Sequence, residues 1–431
     1  GYGTSSTVTA TFGFVAAARA INKILKKKGI TTMNSRIGQV EISLRWRGPQ
    51  ASHCDRRFFN RLNFWRDYFP GDLGDRLNVA EVGDTFIYEA AAGELVEPYN
   101  AALVHSIKHE QFKTRVSPGL VIKPQCGRFY PRNLVSGLSS YFEGDRRPLR
   151  CVDINDTGMR VDLNHPLARY PLSLEARLVQ ILESKQEHGG ASIDIPQMCT
   201  QNGPGMQARL PEMATDFFSG DPFARLDTRA DAAFYTMTRL LPHIDSTASQ
   251  QLASIYQHFL QPGMQVLDLM SSWQSHLPEN VDQLEVTGLG MNREELQRNP
   301  HLSQHVIHDL NEQAELPFEA RQFDAAICSL SIEYLITPDE VFSEVARTLK
   351  PGAPFIVSFS ERWFPPKVIA VWQEIHAFER MGLVLELFDK SQLFDNLGTE
   401  SIRGLPRPAD DKYAAELTDS DPIYAVWGTR R

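Results

Sequence analysis

The chain has 431 residues and a formal net charge of −9; 42% of its residues are hydrophobic and 23% are charged. At roughly 100–200 residues per domain, this length predicts two or three domains. The composition excludes disordered, collagen-like and disulfide-scaffold proteins. The acidic balance argues against non-specific binding of nucleic acid.

Cysteine usage and hydropathy indicate the compartment. The five cysteines are scattered and no two form a CxxC, which excludes a zinc ribbon. Isolated thiols of this kind are typical of a reducing compartment. No apolar run reaches the roughly 20 residues that a membrane span requires. We therefore expect a cytoplasmic protein with no membrane or nucleic-acid partner.

The chain begins at Gly1, and its first methionine is Met33. Residues 16–25 have a helical pattern, which three lysines and Gly29 end. The segment GYGTSSTVTATFGFVAAARAINKIL resembles the C-terminal end of the E1-like family of tRNA threonylcarbamoyladenosine dehydratases. It contains none of that family's ATP-binding loop, so the resemblance implies no activity. We interpret residues 1–32 as a remnant of such a domain or as an upstream extension.

From about residue 36 to 182, short strand patterns alternate with turn formers. Residues 40–46 and 172–179 alternate between apolar and polar side chains, as half-buried strands do. Glycines and the run Asn-Asp-Thr-Gly at 155–158 mark turns between them. This pattern predicts an antiparallel sheet.

Two segments of this region carry a family resemblance. RFYP at 128–131 and VDLNHPLA at 161–168 resemble the SlyD-like branch of the FKBP-type peptidyl-prolyl cis-trans isomerases. The resemblance implies an isomerase domain at 33–182 with a chaperone insert at about 105–160. It also implies an aromatic pocket for a proline ring, to which Asp55 and Tyr99 would contribute. The partner would be a proline-containing or unfolded polypeptide.

The residues also leave two alternatives to isomerase activity. The first strand has Leu44-Arg45-Trp46 where that family has a tyrosine. The insert could instead bind unfolded clients as a chaperone through its aromatic side chains, which are Phe112, Phe129, Tyr130, Tyr141 and Phe142. Alternatively, these aromatics fill a small core. The histidine- and cysteine-rich tail of SlyD is absent, so we predict no metal site.

Residues 183–213 contain turn formers and no apolar periodicity, and we predict a linker there. After it, helical and strand patterns alternate. Strand patterns lie at 266–269, 286–289, 323–328 and 355–359, and helical patterns lie at 252–260 and 338–349. Apolar strands separated by helices predict a doubly wound α/β domain at 214–431. The whole chain is thus predicted to be multidomain, with an α+β FKBP-like domain followed by a Rossmann-like α/β domain.

Ligands bind open parallel sheets beyond the carboxyl ends of their strands. Four segments bear on this position: LASIYQHFLQPGMQVLDLMSSW, HDLNEQAELPF, FDAAICSLSIEYL and VFSEVARTLKPGAPFIVSFSERWFP. In this order they resemble class I S-adenosylmethionine-dependent methyltransferases of the type 11 group. The resemblance implies S-adenosyl-L-methionine as the cofactor and methyl transfer to an acceptor that the sequence does not identify.

The match implies roles for individual residues. The cofactor-binding positions would be Asp268, Met270, Ser271, Asn292, Asp309 and Leu310. Among them, the loop after the first strand would hold the methionine part, Asn292 the ribose, and Asp309 with Leu310 the adenine. Glu333 and Tyr334 would face the acceptor and serve as catalytic residues.

The loop after the first strand departs from the family pattern. Where the family has glycines, this chain has Met270-Ser271-Ser272-Trp273. Two hypotheses follow, and they differ in the position of Trp273. In a methyltransferase, Trp273 turns aside or stacks on the cofactor. In a non-catalytic folding helper with a degenerate methyltransferase scaffold, Trp273 plugs the pocket.

Overall fold

The structure, a computed structural model, describes residues 35–117, 120–138, 144–185 and 191–431. The remnant predicted at 1–32 and two of the insert aromatics, Tyr141 and Phe142, lie outside the described residues. Within the described ranges, no helix is both long and apolar enough to cross a membrane.

Strands account for most of the regular structure. Before residue 191 the strands are β1 (Ser35–Arg47), β2 (Ser52–Asn63), β3 (Thr85–Ala90), β4 (Val104–Ile107), β5 (Arg115–Ser117), β6 (Leu120–Val121), β7 (Phe129–Pro131), β8 (Pro148–Asn155), β9 (Gly158–Asp162) and β10 (Leu172–Lys185). After it they are β11 (Gln265–Leu269), β12 (Glu285–Gly290), β13 (Gln304–Ile307), β14 (Ala325–Ser329), β15 (Pro354–Phe359), β16 (Phe394–Arg403) and β17 (Ile423–Arg430).

The helices lie mostly in the C-terminal part. They are α1 (Leu73–Val79), α2 (Ile195–Thr200), α3 (Asp231–Tyr235), α4 (Ser246–Gln257), α5 (Arg293–Arg298), α6 (Pro338–Thr348), α7 (Ala370–Glu374) and α8 (Ala377–Ser391). Helix α6 confirms the helical pattern predicted at 338–349, and it buries Val341, Phe342 and Val345 on one face.

Eleven strands form one sheet in the order β13-β12-β11-β14-β15-β17-β16-β2-β1-β10-β3. Strands β11 to β15 are parallel to one another, and β17 runs antiparallel between β15 and β16. Two apolar clusters cover the two faces of this C-terminal half, one with α6 and α8 and the other with α4. The doubly wound, Rossmann-like fold predicted for the C-terminal part is therefore present.

The N-terminal half of the sheet is antiparallel, and a separate subdomain is inserted in it. Val40, Ile42 and Leu44 of β1 are buried on the face that also packs against α1. Between β3 and β10, a four-stranded sheet in the order β4-β9-β8-β7 encloses its own core. Phe112 and Tyr130 lie in that core, so these two aromatics fill it and do not present a client-binding surface.

The predicted linker at 183–213 is folded from residue 195 onward. Helix α2 places Ile195 and Cys199, each at most 1% exposed, in the apolar cluster of β1 and α1. Ala208 is also buried. The sequence did not predict this role, because turn formers dominate the segment. Only a few of its apolar side chains pack against the sheet.

The two predicted domains share a sheet. Strand β16 pairs in parallel with β2, from Gly398 opposite Ser52 to Arg403 opposite Arg57. This pairing, which we call the seam, joins the C-terminal α/β part to the N-terminal antiparallel part by backbone hydrogen bonds. A division into independent domains at the predicted boundary therefore does not describe the structure.

Candidate active site

A cavity opens at the carboxyl ends of β11, β12, β13 and β14. The chain runs outward from β11 to β13 and then returns to β14 on the other side of β11, so this is the point where strand order reverses. The lining includes Asp231, Tyr235, Arg239, His243, Asp268, Met270, Ser271, Asn292, Glu295, Asp309, Leu310, Asn311, Tyr334 and Phe364. All six predicted cofactor-binding residues are thus brought together here.

Asp268, on β11, shapes the first loop of the cavity. Its Oδ2 accepts hydrogen bonds from the hydroxyls of Ser271 and Ser275, each at 2.6 Å. Asp268 is only 2% exposed, and this burial raises its pKa to about 7 although the serine hydroxyls act in the opposite direction. The carboxyl group therefore holds the loop and changes charge near neutral pH.

The first loop turns without glycines of its own. Met270 has φ of 53°, in the left-handed region that favours glycine. The backbone N–H of Ser271 donates to the carbonyl of Leu289 on β12 at 2.8 Å. A Cβ atom on Gly290 would lie 2.2 Å from the Ser271 carbonyl oxygen. The small residue that permits close approach is therefore Gly290, on the neighbouring strand.

Trp273 does not enter the cavity. Its side chain is half-buried, and its indole N–H donates to the carbonyl of Leu241 at 3.3 Å. It lines a separate surface hollow with Leu277 and His301. The plug that the non-catalytic hypothesis requires is therefore not the arrangement in the structure.

Asn292 lies in the cavity wall, but its amide is already engaged. As the N-cap of α5, its Oδ1 accepts from the backbone N–H groups of Glu294 and Glu295. Its Nδ2 donates to the Tyr235 carbonyl at 3.0 Å. The Glu295 carboxylate, which accepts from the Ser272 hydroxyl at 2.8 Å, lines the cavity beside it. Ribose binding by Asn292 stays a prediction, and Glu295 is a further candidate that sequence reasoning missed.

Asp309 and Leu310 follow β13. The Asp309 carboxylate accepts from the backbone N–H of Asn311 at 2.9 Å, and burial raises the pKa of Asp309. Leu310 is 3% exposed and packs in the core. The pair offers one acceptor and one apolar surface on the same side of the cavity, a combination that suits a flat, polar-edged ring.

A buried ionic cluster, here called the Asp231 cluster, ties the segment before the α/β sheet to the cavity. The Asp231 carboxylate pairs with Arg225 at 2.7 Å and with Lys367 at 3.0 Å. It also accepts from the Asn311 side-chain amide at 2.8 Å, which donates to the Tyr334 carbonyl as well. The Lys367 side chain is fully buried. These bonds connect three loops around the cavity.

The remaining wall is aromatic and carries one guanidinium. The Tyr235 hydroxyl is buried and has no hydrogen-bond partner among the described residues. The Arg239 guanidinium stacks over Phe234 at 4.7 Å and Phe364 at 5.5 Å from the ring centres. Burial lowers the pKa of His243, so this imidazole is neutral at pH 7. A polar group of an acceptor would therefore meet Tyr235 and Arg239.

Only one of the two predicted catalytic residues lines the cavity. Tyr334 does, and its hydroxyl accepts from the backbone N–H of Phe364 at 2.9 Å. Glu333 points away from the lining and is 1% exposed, with neither carboxyl oxygen hydrogen-bonded within the described structure. Burial raises its pKa to about 8. The prediction that Glu333 faces the acceptor is corrected: the short helical turn at 332–334 directs it into the core.

The residues predicted for an isomerase pocket lie apart. Asp55 is 1% exposed, and its carboxylate accepts from the Ser401 hydroxyl and the Arg403 guanidinium, both at 2.7 Å. Tyr99 is half-buried beneath the guanidinium of Arg169, 3.3 Å from its ring centre. No contact between Asp55 and Tyr99 occurs in the described ranges. Asp55 belongs to the seam and not to an open aromatic pocket.

Comparisons with known proteins agree with the geometry of the C-terminal part. Residues 271–357 match the family described as "Methyltransferase domain". The C-terminal part of the chain has the Rossmann-like fold of methyltransferases. Its cofactor is S-adenosylmethionine.

Two curated relatives share the name ubiquinone/menaquinone biosynthesis C-methyltransferase. The one from Brucella anthropi is 37% identical over 99 residues, 22% of this chain and 36% of that protein. The one from Laribacter hongkongensis is 23% identical over 194 residues, 41% of this chain and 78% of that protein. The chain thus spans about a third of the first relative. A methyltransferase structure from Mesorhizobium loti covers 42% of this chain and 98% of its own, with 16% identity and a TM-score of 0.29.

The cavity fits this cofactor. The backbone of the first loop lies against β12 because Gly290 has no side chain, and Trp273 is held outside by its bond to Leu241. Asp268 in the first loop and Asp309 beyond β13 lie in the same lining. The methionine, ribose and adenine positions predicted from the sequence are therefore contiguous.

Sequence reasoning missed Asp231, Tyr235, Arg239 and Asn311 as cavity residues. The first three precede the α/β strands in the chain, and only folding brings them to the strand ends. Asn311 had a weak signal, because it stands directly after Asp309 and Leu310, which the family resemblance assigned to the adenine position.

Proposed function

We propose that the protein is an S-adenosylmethionine-dependent methyltransferase whose acceptor binds against the wall formed by Tyr235, Arg239 and Phe364. The observation that carries the proposal is the open cavity at the strand-order reversal, with Trp273 outside it. When bound, the cofactor supplies an electrophilic methyl group on a sulfonium sulfur. The residues of the chain mainly have to align the reactants and exclude water.

The chain's own groups divide into two sets. Asp268 and the loop that it holds, with Asp309 and Leu310, form the cofactor side. Tyr235 has a free hydroxyl and a pKa raised by burial, so it stays protonated and donates a hydrogen bond to a polar atom of the acceptor. Arg239 is fixed by its stacking and supplies positive charge next to it.

The names of the relatives suggest the first acceptors to test. Both concern C-methyltransferases of ubiquinone and menaquinone biosynthesis. We therefore propose electron-rich aromatic carbon as the first acceptor class, followed by oxygen and nitrogen acceptors of similar size.

The test uses the full chain. Calorimetric titration with S-adenosylmethionine is expected to show saturable binding, and a tritiated methyl group should reach an acceptor in the panel. Tyr235→Phe should lower turnover at least tenfold while cofactor affinity stays within twofold, and Tyr68→Phe, at a half-exposed position, should change neither. Absence of cofactor binding at millimolar concentration would contradict the proposal.

We infer a second function, polypeptide binding, for the part before residue 191. It rests on the resemblance to FKBP-type isomerases, and its site would lie outside the core of the inserted sheet, where Phe112 and Tyr130 are buried. Because Asp55 is sealed in the seam and α2 covers the apolar sheet face, we propose client binding without proline isomerisation. A prolyl isomerisation assay with the full chain should show no catalysis, and catalysis would contradict this choice.

A further inference from the structure

Strand β3 is the last strand of the eleven-stranded sheet. It pairs with β10 from Thr85 opposite Arg177 to Ala90 opposite Leu172. No described strand pairs with its outer side. Alternate residues of an edge strand point their N–H and C=O groups outward, so β3 offers a template on which another extended chain can pair.

The free edge of β3 and the residues that lead into it carry exposed apolar side chains. Ile87 is 50% exposed in the middle of the strand, and Val82, in the turn that leads into it, is 59% exposed. Val79, at the end of the packed helix α1, is 64% exposed. Natural edges are commonly protected by lysine, proline or a bulge. None of these three devices is present between Thr85 and Ala90.

The surroundings of this edge are acidic. Residues 77–107 contain five acidic residues and no lysine or arginine. Glu81, Asp84, Glu89 and Glu94 are all exposed and flank or belong to β3. Two copies of the chain paired through this edge would bring these carboxylates face to face, which disfavours self-association.

We propose that the free edge of β3 binds an extended, basic and apolar segment of another polypeptide by strand addition. The proposal deepens the polypeptide-binding function proposed above and rests on it. Backbone hydrogen bonds would supply the pairing, Ile87 and Val82 the apolar contacts, and the carboxylates the preference for lysine or arginine. Anionic surfaces such as nucleic acid or acidic lipid are disfavoured by the same carboxylates.

The opposite end of the sheet provides a matched control. Strand β13 is also a terminal strand, and Ile307 on it is 41% exposed, close to the exposure of Ile87. The substitutions Ile87→Lys and Ile307→Lys therefore place the same charge on comparable positions at the two edges. Both residues are exposed, so neither change should alter the thermal midpoint, which is measured first.

The experiment measures binding of a fluorescent eight-residue peptide of alternating lysine and valine, with blocked ends, to the full chain. We expect saturable binding that weakens as salt is raised. The same peptide with glutamate for lysine, or with every backbone nitrogen methylated, should bind at least tenfold more weakly. Ile87→Lys should weaken binding at least tenfold, and Ile307→Lys should leave it within twofold of wild type.

The outcomes distinguish binding at the β3 edge from polypeptide binding in general. If wild type binds the peptide and Ile87→Lys binds it equally well, the β3 edge is not the site, although polypeptide binding stands. If wild type binds neither this peptide nor a reduced, unfolded client protein, both are overturned. If sedimentation shows a wild-type dimer that Ile87→Lys abolishes, the occupant is a second copy and the proposed partner is wrong.

Discussion

Two carboxyl side chains of the C-terminal part are buried, but only one of them is hydrogen-bonded in the part of the chain that the structure describes. Asp268 accepts two serine hydroxyls, and those bonds define the loop that borders the cavity. Glu333 has no hydrogen bond to its carboxyl group within the described residues. The Asp268 carboxyl group therefore has a structural role in the loop, whereas burial raises the pKa of Glu333 and favours its protonated, neutral form.

The loop contact predicts how Asp268 affects cofactor binding. Asp268→Ala leaves the hydroxyls of Ser271 and Ser275 without their acceptor, so the loop should rearrange and the affinity for S-adenosylmethionine should fall at least tenfold, about 1.4 kcal/mol. Asp268→Asn keeps one carbonyl oxygen that both hydroxyls can reach and should lose less. Calorimetric titration of the full chain measures both. Equal losses in the two variants would show that charge, and not loop shape, is what matters.

Burial of Glu333 predicts a pH-dependent stability. Its pKa is raised to about 8 from an ordinary value of 4.5, so between these values the folded state holds a proton that the unfolded state has released. The free energy of unfolding therefore falls as pH rises through this interval. Glu333→Gln cannot ionise, and it should lie within about 1 kcal/mol of wild type at pH 5 and exceed it by about 5 kcal/mol at pH 9.

Denaturant titrations at the two pH values measure this difference. Glu319→Gln, at an exposed position, is the control and should behave as wild type at both. A Glu333→Gln variant that is less stable than wild type at pH 9 would show that the carboxylate has a partner when ionised.

At the scale of elements, the Asp231 cluster holds α3 and the loops after β13, β14 and β15 around one cavity. The cluster contains a fully buried lysine, Lys367, whose ammonium also donates to the Arg229 carbonyl at 2.6 Å. Removing one partner of a buried pair leaves the other charge poorly compensated. The position of α3, and with it Tyr235, should therefore depend on this cluster.

Lys367→Met should lower the free energy of unfolding by about 3 kcal/mol. Lys390→Met removes the ion pair with Asp339, in which both side chains are about half exposed, and should cost at most about 1 kcal/mol. Denaturant unfolding of the two variants measures the contrast. Equal effects would mean that the Asp231 cluster does not stabilise the fold beyond an ordinary surface pair.

At the scale of the whole molecule, the seam makes one sheet out of two parts. Arg403 of β16 and Asp55 of β2 form a buried pair across it, and Arg56 pairs with Glu400 at 3.0 Å. A fragment that lacks β2 would expose the edge of β16, which favours aggregation. Biochemical work on the methyltransferase domain is therefore better done on the full chain.

The seam predicts cooperative unfolding. Circular dichroism and tryptophan fluorescence should report one coincident transition for the full chain. Asp55→Ala leaves the Arg403 guanidinium buried without its carboxylate, and it should shift the whole transition by about 3 kcal/mol. Asp395→Ala, which breaks an exposed pair with Arg431, should shift it by less than about 1 kcal/mol. Two separate transitions would contradict the rigid seam.

Local sequence patterns were sufficient for much of the C-terminal part. Strands β11, β12 and β15 and helix α6 lie where apolar runs and a helical pattern predicted them. Asp268 lies on β11 and Asn292 follows β12, and parallel strands bring their carboxyl ends to one edge, so the sequence could place these two residues in one cavity. Asp309 was placed there by the family resemblance, because no strand pattern was predicted before it.

Only the tertiary structure reveals the contacts between elements that are distant in the chain. The pairing of β2 with β16 uses backbone groups that every residue has, so no side-chain pattern marks it. The direction of Glu333 and Trp273 depends on packing around short turns, where one step along the backbone reverses the side a residue faces. By itself the sequence determined the methyltransferase strands and their strand-end residues, because burial imposes a period on side chains. The sequence did not determine the seam or the acceptor wall, because contacts between residues far apart in the chain leave no periodic pattern of side chains.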